Sequence, residues 1–437
     1  MEGKEIIKQL LRDFHTRRLP QVRPREYAVP RNSGKIVTLI GVRRCGKTFL
    51  LYQLIHEILK TTSIEQIIFI DFEDERLDLQ SGELDWIIQA YLELYPEIED
   101  LSHCYFFFDE IQNIDGWERF IRRIYERWSR NIFITGSNAK MLSSEIATAL
   151  RGRSISYTVY PLSFREFLQF QEIEIERYAT IGRARIQSEL DRYLYQGGFP
   201  ELLSVADEEL HRKILQEYYQ VMLFRDLIDR YQISNTIALK FFLKRLFASA
   251  TKQISINRLY NELKSSGIRI SKNTLYTFLD EAEAIFLFGV LKKHVHKIST
   301  RELGEKKVYA IDNGLHNAVH FRFSTDIGKA MEQTLYWELR RRYPDSDALH
   351  YFRKGVECDF LIQQNETVTT AIQVCYDLTD PDTKKREIKG LHQACIAHHL
   401  NKGLLITRGH NETIMHEKIH IEILPLADCL LDRESDR

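Results

Sequence analysis

No run of apolar residues in this sequence approaches the roughly 18 that a helix needs to cross a bilayer. The amino terminus, Met1-Glu2-Gly3-Lys4-Glu5, has no apolar signal core. Cysteine is sparse, with six residues scattered along the chain and no Cys-x-x-Cys pair. That pattern suggests neither a zinc ribbon nor a disulfide framework, and free thiols fit a reducing cytosol. Neither sign of charge is in excess, because the formal net charge is −1. No global basic field therefore announces nucleic acid, although a local basic face stays open. Low-complexity tracts and internal repeats are also missing. These absences lead to the expectation of a soluble, cytoplasmic protein with no membrane partner. Its 437 residues are enough for about two to four domains.

What is present divides by pattern. Residues 1–34 hold a short amphipathic helix and then an irregular piece with Pro20, Pro24 and Pro30. Ile36–Ile40, Ile67–Asp71, Tyr105–Phe108 and Ile132–Thr135 are short apolar runs, read as buried strands, and a periodic helix runs from Lys47 to about Lys60. Strands buried on both faces and alternating with helices predict an α/β fold with a parallel sheet. Residues 163–235 read as mostly helical, with a turn at Gly197-Gly198-Phe199-Pro200. Between about 236 and 300, helices are expected over Ile256–Ser265 and Ser271–Glu283, followed by strands at Phe286–Leu291 and Lys307–Ile311. Two helices, a short turn and a β-ribbon resemble a winged helix-turn-helix. A third pattern starts near 328. It has a helix to Arg342, strands at Ala348–Arg353, Cys358–Gln363 and Thr370–Val374, a helix over Asp382–Ala397 and a strand over Gly403–Thr407.

The most specific signal is Gly41-Val42-Arg43-Arg44-Cys45-Gly46-Lys47-Thr48, a Gly-x-x-x-x-Gly-Lys-Thr loop between a buried strand and a helix. Glycines let the backbone wrap phosphates, and the helix amino terminus offers N–H donors with partial positive charge. Lys47 is expected to reach the β- and γ-phosphates of ATP, and Thr48 to ligate Mg²⁺. Arg43 and Arg44, inside the loop, could face phosphate or an acidic strand. Four residues of aromatic strand then deliver Asp109 and Glu110. Asp109 would hold Mg²⁺ through water, and Glu110 would orient and deprotonate the attacking water. Ser137 and Asn138, after the next strand, stand where a polar side chain could touch the γ-phosphate or the water. Arg151 and Arg153 are candidates to stabilise transition-state charge, in cis or across a subunit interface, since guanidinium is planar, multidentate and permanently charged. Such an arginine supplied in trans would need an oligomer, and a monomer is equally open.

These motifs, with Asp109-Glu110-Ile111-Gln112, Thr135-Gly136-Ser137, Leu150-Arg151-Gly152-Arg153, Pro161–Phe167 and Gly197-Gly198-Phe199-Pro200, resemble a prokaryotic family of AAA-type P-loop ATPases. The resemblance covers nearly the whole chain. It implies a P-loop ATPase core over 1–160, a helical lid-like region over 161–235, a winged-helix-like domain over 236–325 and a restriction-endonuclease-like domain of unassigned function over 326–437. It also implies that Pro200, in the Gly198-Phe199-Pro200 turn, contacts the nucleotide.

The last third resembles the PD-(D/E)xK nuclease fold, in which acids bind Mg²⁺ and a lysine helps activate water. Glu332 matches the helical acid and Asp359 the first strand acid. Gln373 stands where the second acid belongs and Cys375 where the lysine belongs. A hard dication prefers carboxylate oxygen to an amide, so this site is expected to be inactive. Lys384, Lys385 and Arg386 could keep a nucleic-acid-binding face or be a solvated helix start. On the expected recognition helix, Lys272, Asn273 and Tyr276 could contact DNA, whereas Asp280, Glu281 and Glu283 would repel phosphate. DNA and a protein partner therefore both remain open.

Overall fold

The computed structural model describes residues 2–138, 150, 152–295, 297–320 and 326–432. They form two compact units, residues 1–160 with 284–286 and residues 161–283 with 287–437. Among the described residues no helix is long and apolar enough to cross a membrane.

In chain order the first unit runs α1 (Glu2–Thr16), β1 (Ile36–Ile40), α2 (Lys47–Ile58), β2 (Ile67–Asp71), α3 (Asp85–Leu94), β3 (Tyr105–Asp109), α4 (Trp117–Arg127), β4 (Ile132–Gly136) and β5 (Ser154–Thr158). The sheet order is β2-β3-β4-β1-β5, and every neighbouring pair is parallel. The first four strands are almost wholly buried. That is why they read as unbroken apolar runs rather than alternating ones. Side chains still alternate between faces. Phe107 stacks on Phe133 with ring centroids 4.7 Å apart, while Phe106 and Phe108 join the core containing Ile7 and Leu11 of α1, Ile87 of α3 and Phe120 and Ile124 of α4. Each such buried ring contributes about 1.5–3 kcal/mol. The edge strand β5, Ser-Ile-Ser-Tyr-Thr, is only partly buried and has no apolar run to announce it. Because β4 lies between β1 and β3, the carboxyl ends of those three strands stand side by side, where such sheets hold ligands.

The second unit opens with helices α5 (Phe164–Phe170), α6 (Thr180–Gln196), α7 (Glu208–Val221) and α8 (Thr236–Ala248). Ser163 starts α5 with a reciprocal cap: its hydroxyl accepts from the Glu166 N–H at 3.1 Å, and the Glu166 carboxylate accepts from the Ser163 N–H at 3.0 Å. Then come β6 (Gln253–Ile254), α9 (Ile256–Ser265), α10 (Lys272–Ala284), β7 (Phe288–Lys293), α11 (Ile298–Leu303), β8 (Lys306–Ala310), α12 (Asn313–Val319) and α13 (Ile327–Arg342). The rest is β9 (Leu349–Lys354), β10 (Val356–Gln364), β11 (Thr367–Val374), α14 (Pro381–Ala397), β12 (Lys402–Thr407), β13 (Glu412–His416), β14 (Ile419–Pro425) and α15 (Leu426–Leu431).

One nine-stranded sheet, ordered β13-β14-β12-β11-β10-β9-β7-β8-β6, gathers every strand among the described residues of this unit. The expected boundary at 325/326 falls inside it, since β7 pairs in parallel with β9. β6, just before α9, the β7–β8 ribbon and the C-terminal strands therefore share one hydrogen-bonded sheet. On one face, Ile388, Leu391 and Cys395 of α14 pack with Cys358, Ala371, Leu405 and Ile421.

The Gly197-Gly198 turn has a local structural reason. A Cβ on Gly197, at φ 80°, would come within 2.1 Å of the Asp312 carboxylate. That carboxylate accepts from the Gly198 N–H at 2.7 Å and caps α12 by accepting from the Leu315 N–H at 2.9 Å. Phe199 is fully buried, edge-on to Tyr218. Pro200 opens a short 3-10 turn, Pro200–Ser204.

Candidate functional site

The phosphate loop runs from the end of β1 into α2, and its glycines are required by geometry. A Cβ at Gly41 would sit 1.9 Å from the Val159 carbonyl oxygen. Gly46, the residue before α2, takes φ 99°, a conformation that side-chain-bearing residues avoid. Cys45 is buried, and its thiol donates to the Val159 carbonyl at 3.2 Å. Behind the loop lies Arg25, which no sequence motif marks. Its buried guanidinium donates to the Cys45 carbonyl at 2.8 Å and to the Tyr160 carbonyl at 2.9 Å. This brace is charge-assisted and ties the loop to the segment that follows β5.

Lys47, 4% exposed, points across the loop. Its ammonium donates to the carbonyls of Gly41 at 3.2 Å and Val42 at 3.3 Å, and lies 3.1 Å from Glu110 Oε1. The Thr48 hydroxyl donates to Asp109 Oδ2 at 2.6 Å. The Thr135 hydroxyl, from β4, donates to the other Asp109 oxygen and accepts from the Glu110 N–H at 2.8 Å. Glu110 itself adopts φ 47°, which turns the chain sharply after β3. Arg43 leaves the loop to pair with Glu73 at 2.6 Å. Thr48 and Asp109 thus place hard oxygen donors together beside a loop shaped for phosphate. Those donors suit Mg²⁺ held with a nucleotide.

Burial, and then the charge of Glu110, push Asp109 up to about 7, against the hydrogen bonds from Thr135 and Thr48. Burial alone would also raise Glu110. The Lys47 ammonium, with help from Gln112 and Arg43, instead holds it down to about 2. Glu110 is therefore ionised in this conformation.

Ser137 and Asn138 are buried just past the end of β4. Ser137 Oγ accepts from Gln112 Nε2 at 3.4 Å, and that amide also donates to Glu110 Oε2. Arg151 lies outside the described residues. Arg153 sits at the amino end of β5, next to the start of β1, since the Ile36 N–H donates to its carbonyl at 2.8 Å. The loop lies at the opposite end of the same strand, about 16 Å away for five residues. The Arg153 guanidinium pairs with Glu126 and lies 5.4 Å over the Tyr125 ring. Within this chain it does not join the phosphate-loop cluster. Pro200 belongs to the second unit.

The second unit holds another polar cluster. The Lys307 ammonium, on β8 and 1% exposed, lies 2.9 Å from Glu332, 2.8 Å from Asp359 and 2.6 Å from Glu357. Tyr309 donates to Glu332 at 2.8 Å, and Gln253 to Glu357 at 2.6 Å. Burial opposes the charge on Lys307, but Asp359 and Glu332 outweigh it and raise its pKa well above the usual lysine value. Gln373 does come to Asp359: its carbonyl accepts from the Asp359 N–H at 3.2 Å, and its amide donates to Glu387 at 2.7 Å. Cys375 does not join the cluster. Its thiol donates to the Asp377 carbonyl at 3.1 Å, and burial pushes it up to about 11. Among the described residues, no three His, Cys, Asp or Glu are arranged to hold a metal ion. The sequence reading missed Lys307 and Glu357. A lysine leading directly into the apolar run Val308-Tyr309-Ala310 was the available signal.

A family model described as an AAA domain matches residues 33–168, and one for a domain of unknown function, DUF8612, matches residues 187–326. The uncharacterized protein MJ1544 of Methanocaldococcus jannaschii is 37% identical over 365 residues, which span 82% of this chain and 78% of the relative. An uncharacterized protein of Haemophilus influenzae is 29% identical over 402 residues, 91% of this chain and 94% of that protein. Among solved structures, the Walker-type ATPase paby2304 of Pyrococcus abyssi covers 74% of this chain and 96% of its own, with 15% identity and a TM-score of 0.42.

Proposed function

The chain belongs to a family of AAA-type P-loop ATPases that includes the Methanocaldococcus jannaschii relative, and from that premise we propose that it hydrolyses ATP with Mg²⁺ and uses the cycle as a switch or motor on nucleic acid. The observation that carries the hydrolytic part is the connected set Lys47, Thr48, Asp109, Glu110 and Thr135 at adjacent strand ends. Lys47 is placed to exchange its loop carbonyls and Glu110 for phosphate oxygens. Thr48 and Asp109 would hold the Mg²⁺, which supplies Lewis acidity at the phosphates when bound. Glu110, released from Lys47, would lose the charge that holds its carboxyl down, and burial would then raise its affinity for a proton taken from water. Glu110→Gln should leave ATP affinity within about twofold and lower turnover by about 10²–10⁴-fold. Equal turnover in variant and parent would move the base elsewhere.

The nucleic-acid part is supported by α10, which carries Lys272, Asn273 and Thr277 exposed after a short turn, and by the following ribbon with Lys292 and Lys293. A helix pair with a short turn and a following ribbon is the arrangement that a winged helix would present to a groove. The restriction-endonuclease-like region would serve as a binding module without cleavage, because an amide replaces one acid and the Lys307 ammonium sits among the others. Its basic helix start is partly neutralised, with Lys384 paired to Glu412 at 3.1 Å and Arg386 to Glu387 at 2.7 Å. DNA affinity should fall about 10–100-fold between roughly 50 and 200 mM salt, since each phosphate contact releases counterions. The duplex should stay uncut with Mg²⁺ present. The exposed Asp280 and Glu283 on α10 favour a protein partner instead. Absence of DNA binding near physiological salt, with and without ATP, would select that second reading.

A further inference from the structure

Gln112 lies in a short 3-10 turn, Ile111–Asn113, immediately after Glu110. The left-handed backbone at Glu110 folds this turn back, so that a side chain two residues along reaches the Glu110 carboxylate. Gln112 Nε2 donates to Glu110 Oε2 and reaches Ser137 Oγ at 3.4 Å. Both of its hydrogens are thereby directed. The other end of the amide is shielded from solvent, and its Oε1 has no hydrogen-bond partner among the described residues. Exchanging the two ends would press the amide oxygen against an ionised carboxylate, so the orientation is fixed by electrostatics. A buried acceptor left without a donor needs an explanation. Phosphate oxygens cannot satisfy it, because they have no hydrogen to give. Beside a carboxylate that can take a proton, the fitting donor is a water molecule, admitted when Lys47 leaves Glu110 for phosphate.

Resting on the ATP-hydrolysis reading above, we propose that Gln112 binds the hydrolytic water through Oε1 while steadying Glu110 through its amide N–H. Water has two O–H bonds. One points to the Glu110 Oε1 that Lys47 vacates, and the other to Gln112 Oε1, which leaves an oxygen lone pair for the γ-phosphorus. As the P–O bond forms, one proton passes to Glu110. The bond from γ-phosphorus to the bridging oxygen breaks, and its electron pair leaves with ADP. The second hydrogen stays on the product phosphate.

The test compares full-length parent, Gln112→Leu and Gln112→Met. ATP turnover is measured together with calorimetric affinities for MgADP alone, MgADP with beryllium fluoride and MgADP with aluminium fluoride. Both variants should lose about 10²-fold in turnover, as expected when a reacting group loses its placement. MgADP affinity should stay within twofold, which also reports a folded site. The preference for aluminium fluoride, whose planar complex includes the attacking water, over beryllium fluoride should fall at least tenfold. A parent that hydrolyses nothing overturns the ATP-hydrolysis reading and this inference with it. An active parent with variants equally fast, or variants whose MgADP affinity collapses, overturns this inference alone.

Discussion

Replacing Lys307 with alanine should destabilise the second unit by about 3–5 kcal/mol, the range seen when one member of a buried ion pair is removed. The cost comes from what is left behind. Glu332, Asp359 and Glu357 converge on one ammonium, and without it the buried carboxylates repel one another in a medium that solvates them poorly. Glu357 is partly exposed and will contribute less than the other two. The penalty should also depend on pH. Glu332 is already pushed up by burial and by Asp359, and in the variant its carboxyl loses its cation too. Its folded pKa then lies further above its unfolded value. The folded variant binds more protons than the unfolded chain, so its stability rises as pH falls. The gap between parent and variant should therefore narrow as pH falls toward about 8, the folded value for Glu332 in the parent, and stay level below it, where both folded forms carry the proton. Urea unfolding of the full chain at several pH values measures both. An unchanged midpoint would show that the cluster is not a structural centre of the sheet.

Removal of the charge on the buried Lys47 should act on ligand rather than fold. Lys47→Met keeps the length of the side chain and removes its charge. It should weaken MgATP binding by about 10²–10³-fold, the scale of losing a desolvated charge pair. Lys47 bonds to two loop carbonyls and to Glu110. Binding thus exchanges one satisfied arrangement for another, and the ammonium never lies buried without partners. Calorimetry on the variant provides the check, with circular dichroism confirming the fold. Affinity like that of the parent would contradict the assignment of Gly41–Thr48 as the phosphate site.

The phosphate loop was legible because its constraints are local. Gly41 and Gly46 are demanded by close approach and by backbone conformation, and Lys47 and Thr48 follow at fixed spacing. Asp109 and Glu110 were legible because a fully buried strand ends in two charges, which few structural roles require. Gln112 is adjacent to that motif, yet its role depends on the φ of Glu110, which no pattern of residue types encodes. Lys307 was hidden for a different reason. Its partners Glu332 and Asp359 lie 25 and 52 positions away along the chain, and only the order of the nine-stranded sheet brings β8 to β10. Arg153 shows the converse within a single chain. Its nearness to the phosphate-loop motifs in sequence means little when β5 runs parallel to β1 and places it at the far end of the strand. Arg25 sits in an irregular proline-containing stretch, where no periodicity marks a buried guanidinium.

The pairing of β7 with β9 also bears on how the chain is made. During synthesis the ribbon of β7 and β8 can form as soon as it emerges, but Leu349 follows Lys293 only after α11, α12 and α13 have been added. At about 5–20 residues per second, several seconds pass in which β7 offers unpaired N–H and C=O groups along one side. Such an open edge can capture a strand from a neighbouring nascent chain. The lysines of that ribbon, Lys292, Lys293, Lys306 and Lys307, place like charge on any identical copy that approaches.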